Sequence, residues 1–301
     1  MSYQGSWVRR GEWLEMTPGK ALTGQADREE AAGRWLLDTV GMPEKLYRKL
    51  RQEQGIRWRG DRLSLVLFPY REYGIEPRWH ELDVLYEDEF CLVVNKSAGM
   101  SVHPADPASR EITLNHAVAA YYETAGIRAA VRHIHRLDKD TTGPVLYAKN
   151  EYAQLKLDEA MRKKEIVRIY AAIVQGRVGD DLKTIDLPIG KDRHHSGRRR
   201  VSLTGQPAIT HIISSEIYPS TSLLHVSLET GRTHQIRVHL SHMGHPLLGD
   251  TMYGGRAIRL GRQALHGERL HFSHPFTGEE LEIHAPWPED LTALRRQFAH
   301  E

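Results

Sequence analysis

The sequence predicts an α+β protein: a long, mostly antiparallel mixed sheet flanked by helices, with a small α/β module at its N-terminus. Three observations lead there. Segments of strand composition outnumber helical ones. They do not alternate with helices in the regular order that builds a parallel sheet. No internal repeat or low-complexity segment suggests a solenoid or a disordered array.

Taken in order, residues 1 to about 25 show no clear period and read as an irregular arm. Asp27 to Val40 reads as a helix, with Ala31, Trp35 and Leu36 on one stripe and a break at Gly41-Met42-Pro43. Pro43 to Gln54 is a second helix, ended by Gly55. Ile56 to Arg62 and Leu63 to Phe68 read as a basic hairpin. Arg48, Lys49, Arg51, Arg57, Arg59 and Arg62 are expected to give this module a positive face. Pro69 to Pro77 reads as a linker, so the division is 1–77 for the arm and module and 78–301 for the main domain.

From Leu82 the pattern changes. Val84 to Tyr86 and Phe90 to Val94 are strand-like, Asn95 to Gly99 forms a turn, and Leu114 to Thr124 is helical. Pro144 to Ala148 has strand composition. Asn150 is a helix N-cap candidate for a helix through Lys164. Ile166 to Val174 is a strand with Val167, Ile169, Ala171 and Ile173 on one face and Arg168, Tyr170 and Ala172 on the other. Ile185 to Gly190 and Ala208 to Ile217 are strands joined by a basic loop, and Leu223 to Leu228 follows. A helix starts at Thr233 and ends at Gly244. Ala264 to Phe272 and Glu280 to His284 are late strands, and Leu291 to Phe298 is a last helix.

Composition limits the possible functions. At 301 residues, 40% hydrophobic and 27% charged, the chain reads as a soluble globular protein with a full core. Its single Cys91 excludes an intramolecular disulfide, fits a reducing cytoplasm and reads as a buried thiol. No apolar run approaches a bilayer span and no secretory signal is expected. The net charge of +2 is modest, but Arg162 to Lys164 and Arg198 to Arg200 are basic runs suited to a phosphate backbone.

Several chemistries lack their motifs. No Gly-rich phosphate loop and no Gly-x-Ser-x-Gly elbow occurs. Eighteen histidines invite a metal reading, yet neither His133 with His135 nor His239 with His242 has a zincin-type Glu or a Cys partner. The most specifically surrounded carboxylate is Asp138, in His135-Arg136-Leu137-Asp138-Lys139-Asp140-Thr141-Thr142-Gly143. By spacing alone the stretch is either a solvated polar turn or a carboxylate held rigidly before a strand. A cation to orient it could come from Arg232 or Arg237.

His135-Arg136-Leu137-Asp138 with Thr141-Thr142-Gly143 resembles the signature of the RluA-type pseudouridine synthases. Further stretches resemble that family in the same order. They are Leu85 to Glu89 with Lys96, Gly99 and His103-Pro104, and Ile166 through Tyr170 to Gly176. Gly231 to His239 with Gly249-Asp250 and Tyr253-Gly254 follows, then Ala264-Leu265-His266 with His274-Pro275.

The resemblance implies the pseudouridine synthase fold and isomerisation of uridine in structured ribosomal or transfer RNA, with no cofactor and no metal. It implies that Asp138 is the essential carboxylate, adding to C1′ or removing the 2′ proton. Tyr170 would stack on the uracil and serve C5 deprotonation, and Arg237 would pair with Asp138. Leu265 would pack on the base, and Arg136 would fill the stack when the base flips out. His135, Thr141 and Arg232 join Arg136 and Leu265 as expected substrate contacts. A cytoplasmic monomer is expected. Thr142 stands where the family usually has Ser, Ser97 where Pro is common, Val201 where Met is frequent and Arg168 where Lys is usual. The N-terminal module resembles a degenerate small RNA-binding domain. The alternative is a non-catalytic RNA-binding or ribosome-assembly protein with the same fold.

Overall fold

The structure is a computed structural model that describes residues 5–19, 22, 27–106 and 109–299. It begins with a hairpin, β1 (Trp7–Arg10) and β2 (Trp13–Met16), where the sequence suggested an irregular arm. The reason is local. Each strand has four residues, charges interrupt both, and Gly11 turns the chain at φ +60°, so no long period builds up. The rest of that arm, residues 1–4, 20–21 and 23–25, lies outside the described residues.

Helix α1 (Arg28–Asp38) is capped by Asp27, whose carboxylate accepts from the N–H groups of Glu29 and Glu30 at 3.0 Å. Helix α2 (Glu44–Gln52) follows, then β3 (Ile56–Arg59) and β4 (Arg62–Val66). The four strands form one sheet in the order β1-β2-β4-β3. The expected positive face is partly neutralised: Arg48 pairs with Glu44, Lys49 with Glu151 and Arg62 with Glu15, while Arg57 lies over the Trp13 ring.

Residues 69–77 hold no helix or strand and are pinned. Arg71 donates its N–H to Arg128 and Tyr73 accepts from Val131. Apolar packing is continuous across this segment. Leu14, Leu36, Leu65 and Phe68 belong to the same buried cluster as Phe90, Tyr152, Leu270 and Phe276. Trp7 meets Phe90 and Phe276 edge-on, each at 5.5 Å.

The main body has two antiparallel sheets. The first contains β5 (Asp83–Glu87), β6 (Cys91–Lys96), β7 (Arg132–His133) and β8 (Gly143–Ala148), ordered β5-β6-β8-β7. Cys91 is buried, as expected, and burial raises its thiol well above the usual value. Helix α3 (Leu114–Thr124) and helix α4 (Glu151–Lys163) pack alongside, the latter capped by Asn150, which accepts from Ala153 at 2.8 Å.

The second sheet takes β9 (Val167–Gln175), β10 (Thr184–Asp186), β13 (Ile209–Ile217), β14 (Thr221–Leu228), β15 (Leu265–Ser273) and β16 (Glu280–His284) in the order β10-β13-β14-β9-β15-β16. Between β10 and β13 a separate hairpin, β11 (Ile189–Lys191) and β12 (Arg199–Val201), carries the basic run. The strand expected over Ile185 to Gly190 therefore breaks in two. Pro188 sits at the break, lacks an N–H for the ladder, and its carbonyl instead accepts from Ser202.

Helix α5 (Gln235–His242) starts two residues later than expected, because His234 adopts a left-handed φ of +58°. Helix α6 (Glu289–Ala299) closes the chain. Among the described residues, no helix is long and apolar enough to cross a membrane.

A backbone bridge joins the two sheets. Thr142 bridges to His266 in parallel, and Gly267 donates its N–H to the Thr142 carbonyl at 2.7 Å. Gly143 must be glycine there: its φ is +125°, and a Cβ would sit 2.3 Å from the Gly267 carbonyl oxygen. The seam begins four residues after Asp138.

Candidate active site

The loop that carries Asp138 is anchored at nearly every residue. Thr141 donates its N–H to the Asp138 carbonyl at 3.1 Å and accepts from Gln263 through its hydroxyl, also at 3.1 Å. Lys96 is buried and donates to the carbonyls of Ser97, Met100 and Lys139 at 2.7 to 2.8 Å. Arg262, paired through two bonds to Asp290, reaches the Asp140 carbonyl at 3.3 Å. Thr142 keeps the hydroxyl that a serine would supply and places it 2.8 Å from Nδ1 of His266. Since His266 Nε2 faces the Ala285 carbonyl at 3.3 Å, the proton belongs on Nε2 and Thr142 donates.

A cavity of about 290 Å³ opens in front of this loop. Asp138, Tyr170, Arg237, Arg136, Leu265, Arg232, His135 and Thr141 all line it. The Asp138 side chain is 24% exposed. Nη1 of Arg237 donates to it at 3.2 Å. Nε and Nη2 of Arg237 donate to Asp250 at 2.7 and 2.9 Å. Burial works against the Arg237 charge, but the hydrogen bonds and charge of Asp250, with Asp138 adding to them, raise it above the ordinary arginine value.

Tyr170 projects from β9 on the same side as Ala172, and the strand alternation follows the sequence expectation. Across the ladders it stands opposite Val226 on β14 and Gly267 on β15. Burial raises its phenol, with the Asp138 charge adding and Arg168 opposing. Leu265 begins β15 opposite Ala172 and is buried in the same apolar cluster as Tyr170, Val226 and Leu137.

The flanking groups differ in character. His135 is buried, and its Nε2 accepts from the Leu146 N–H at 3.3 Å. Burial lowers its imidazole to about 3, so it is neutral and anchors the loop. Arg136 is exposed and donates to the Thr233 hydroxyl at 3.1 Å, and Arg232 donates to the Pro207 carbonyl at 2.9 Å. Neither has a carboxylate partner in the described residues, so the cavity mouth carries free positive charge. Arg168 is buried on the cavity wall, and its Nε has no hydrogen-bond partner among the described residues.

Two residues gain roles that the sequence did not assign. Asp250 and Tyr253 stood in recognised stretches, but only the fold places them against Arg237, whose guanidinium carbon lies 4.9 Å from the Tyr253 ring centroid. Their signal was proximity to Gly249 and Gly254, which says turn and not partner.

One group among the described residues gathers potential metal ligands: Asp88, Cys91 and His274. Groups of the protein occupy most of its polar atoms. Asp88 Oδ1 accepts from the N–H groups of Phe90 and Cys91, and His274 Nδ1 accepts from Thr277 N–H at 2.9 Å. That puts the imidazole proton on Nε2, 2.7 Å from Asp88. The trio joins the start of β6 to the turn after β15.

Known proteins are similar to this chain. Residues 90–242 match the family model described as RNA pseudouridylate synthase. An uncharacterised RNA pseudouridine synthase of Bacillus subtilis is 43% identical over 242 residues, covering 80% of each chain. A ribosomal large subunit pseudouridine synthase D of Vibrio parahaemolyticus is 44% identical over 241 residues, covering 73% of this chain and 72% of its own. Among solved structures, human RNA pseudouridylate synthase domain containing 4 superposes with a TM-score of 0.57 at 25% identity, over 72% of this chain and 93% of that one. Matches of that identity and coverage to proteins sharing one activity make the chain a member of the RNA pseudouridine synthase family, and an isomerase.

Proposed function

We propose that the protein converts specific uridines of ribosomal RNA to pseudouridine, with Asp138 as the essential carboxylate. The observation that carries this reading is the position of Asp138: half-open to the cavity, and bonded on its inner side to an arginine whose other nitrogens are held by Asp250.

The chemistry breaks the N1–C1′ bond, turns the uracil, and rejoins it through C5. The C5 proton leaves, N1 ends protonated, and the balance needs no oxidant or reductant. Asp138 acts at the sugar, by adding to C1′ or by taking the 2′ proton. Arg237 aims that carboxylate without rotamer freedom, because its fork is fixed on Asp250. Tyr170 and Leu265 supply an apolar slot for a neutral base, and the buried Tyr170 hydroxyl takes part in C5 deprotonation. A cavity of about 290 Å³ is at the small end for ligand pockets, which favours one extruded nucleotide over a helix. Arg136 and Arg232 at the mouth face the RNA, Arg136 filling the vacated stack; His135 and Thr141 shape the cavity wall. In the same reading residues 78–301 perform the reaction and residues 1–77 help to hold the RNA.

Ribosomal RNA is favoured over transfer RNA by the name of the Vibrio relative, a large-subunit enzyme. The test is tritium release from 5-³H-uridine-labelled large-subunit ribosomal RNA. Wild type should release tritium and Asp138→Asn should not, with RNA retention on a filter unchanged. Equal release by both proteins would remove Asp138 from the mechanism. Release from transfer RNA alone would reassign the substrate.

A further inference from the structure

One side chain, Tyr253, touches both the hairpin β11–β12 and Arg237 of the catalytic pair. Tyr253 ends a short 3-10 turn, Thr251–Tyr253, that directly follows Asp250. It is 4% exposed and packs with Ile189, Val201, Ala208 and Val238, drawn from both hairpin strands, the entry to β13 and helix α5. Its hydroxyl accepts from the N–H of Arg199 on β12 at 2.9 Å. The same hydroxyl is hydrogen-bonded to Nδ1 of His234 at 2.8 Å. Two guanidiniums lie over its ring: Arg237 at 4.9 Å and Arg198, from the hairpin, at 5.4 Å.

We propose that Tyr253 is a positioning residue that couples RNA phosphate contact on the basic hairpin to the alignment of Arg237 and Asp138. The inference rests on the reading of that pair given above. Between Lys191 and Arg200 the hairpin carries five Lys and Arg against one carboxylate, Asp192, whose Oδ1 is taken by the His194 N–H. Lys191, Arg193 and Arg200 are exposed. Such a tip suits a polyanion.

A shift of β12 acts on the Arg199 amide, and so on the Tyr253 hydroxyl. The turn bearing Tyr253 also bears Asp250, which holds Arg237. His234 adds a second path. It is a non-glycine residue at φ +58°, a conformation that persists only where its surroundings hold it, and its ring is held by Tyr253. Helix α5, with Arg237 on it, begins one residue later.

The experiment is single-turnover tritium release from 5-³H-uridine-labelled large-subunit ribosomal RNA over a range of protein concentrations, using the full chain. Tyr253→Phe keeps the ring and its cations and removes only the hydroxyl. It should lower the saturated rate about tenfold, as one lost positioning hydrogen bond can, and leave half-saturation within about twofold. The hairpin variant Arg193→Ser/Arg200→Ser should raise half-saturation and lower the saturated rate in the wild-type background. In the Tyr253→Phe background it should raise half-saturation only. A wild-type saturated rate for Tyr253→Phe overturns the proposal, as does an equal rate loss from the hairpin variant in both backgrounds. Asp138→Asn is run alongside. If it keeps its activity, the reading of the carboxylate falls and the coupling falls with it; if it is inactive and Tyr253→Phe is not impaired, only the coupling falls. Should Tyr253→Phe not fold, amide hydrogen exchange of the wild-type protein decides. Added RNA should slow exchange in residues 251–255 along with the hairpin, and slowing confined to the hairpin overturns the proposal.

Discussion

Asp250 holds Arg237 by two nitrogens, at 2.7 and 2.9 Å, and so leaves Nη1 as the one that meets Asp138 at 3.2 Å. The Asp250 carboxylate is 1% exposed and never meets the cavity mouth, yet it decides where the partner of Asp138 can point. A lone buried arginine would either swing towards Asp138 to form a two-pronged pair, blocking its free oxygen, or carry an uncompensated charge.

Asp250→Asn keeps the shape and removes the charge. Breaking a buried ion pair from one side costs about 3 kcal/mol, and the retained amide oxygen keeps the loss at that lower end. Chemical denaturation should show that loss. Tritium release at saturating RNA should fall at least about tenfold, because Arg237 then competes for both oxygens of Asp138. A destabilised protein with an undiminished rate would show that Asp250 serves stability alone.

Gly143→Ala tests the seam between the sheets. At φ +125°, with a Cβ only 2.3 Å from the Gly267 backbone oxygen, the variant cannot keep both the Thr142–His266 bridge and the β8 register. The clash is with backbone, so no side-chain rotation relieves it. A loss of about 3 kcal/mol or more is expected, against the fraction of a kcal/mol typical of a harmless Gly→Ala change. A denaturation midpoint equal to wild type would mean that the seam is looser than the geometry requires.

Arg136 should separate binding from chemistry. It is exposed, bonded only to the Thr233 hydroxyl at 3.1 Å among the described residues, and lines the cavity beside Asp138. Arg136→Ala should leave the denaturation midpoint within about 0.5 kcal/mol of wild type. RNA binding should weaken, and the slope of log affinity against log salt should fall by about one. If instead the saturated rate collapses while affinity and its salt slope hold, Arg136 acts in the chemical step.

The parts of this architecture that were legible in the sequence are those written in local chemistry. Asn150 reads as a cap because an N-cap needs only its own side chain and the next turn, and it accepts the N–H of Ala153. Tyr170 could be assigned a face because alternation along β9 is a property of the strand itself. The hairpin β1–β2 was not legible: Arg9, Arg10, Glu12 and Glu15 interrupt an apolar pattern only four residues long on each side. Nor was the pairing of Arg237 with Asp250. Thirteen positions separate them, and the 3-10 turn that folds one back on the other has no sequence period. Eight candidate residues from four stretches line one cavity, so motif order carried information that composition and spacing did not.

Glu268 supplies a pH-dependent test of the strand that presents Leu265. It sits at the β15 irregularity between Gly267 and Arg269, opposite the Tyr170 end of β9. Its Oε1 accepts from the Trp287 indole at 3.0 Å, and His225 Nε2 lies 3.4 Å from Oε2. The nearby His225 ring leads, and with the Trp287 hydrogen bond it outweighs partial burial and draws the carboxyl down to about 2. An unfolded glutamate titrates near 4.5, so the folded form binds its proton less readily. The stabilisation is therefore complete above about pH 4.5 and is lost as the pH falls from there through about 2. With the side chain 21% exposed, about 2 kcal/mol is expected after solvent screening. Glu268→Gln should lower stability by that amount at pH 7, and the gap to wild type should close between pH 4.5 and 2 in urea titrations. A gap that stays constant down to pH 2 would assign the effect to packing at the irregularity rather than to the carboxylate charge.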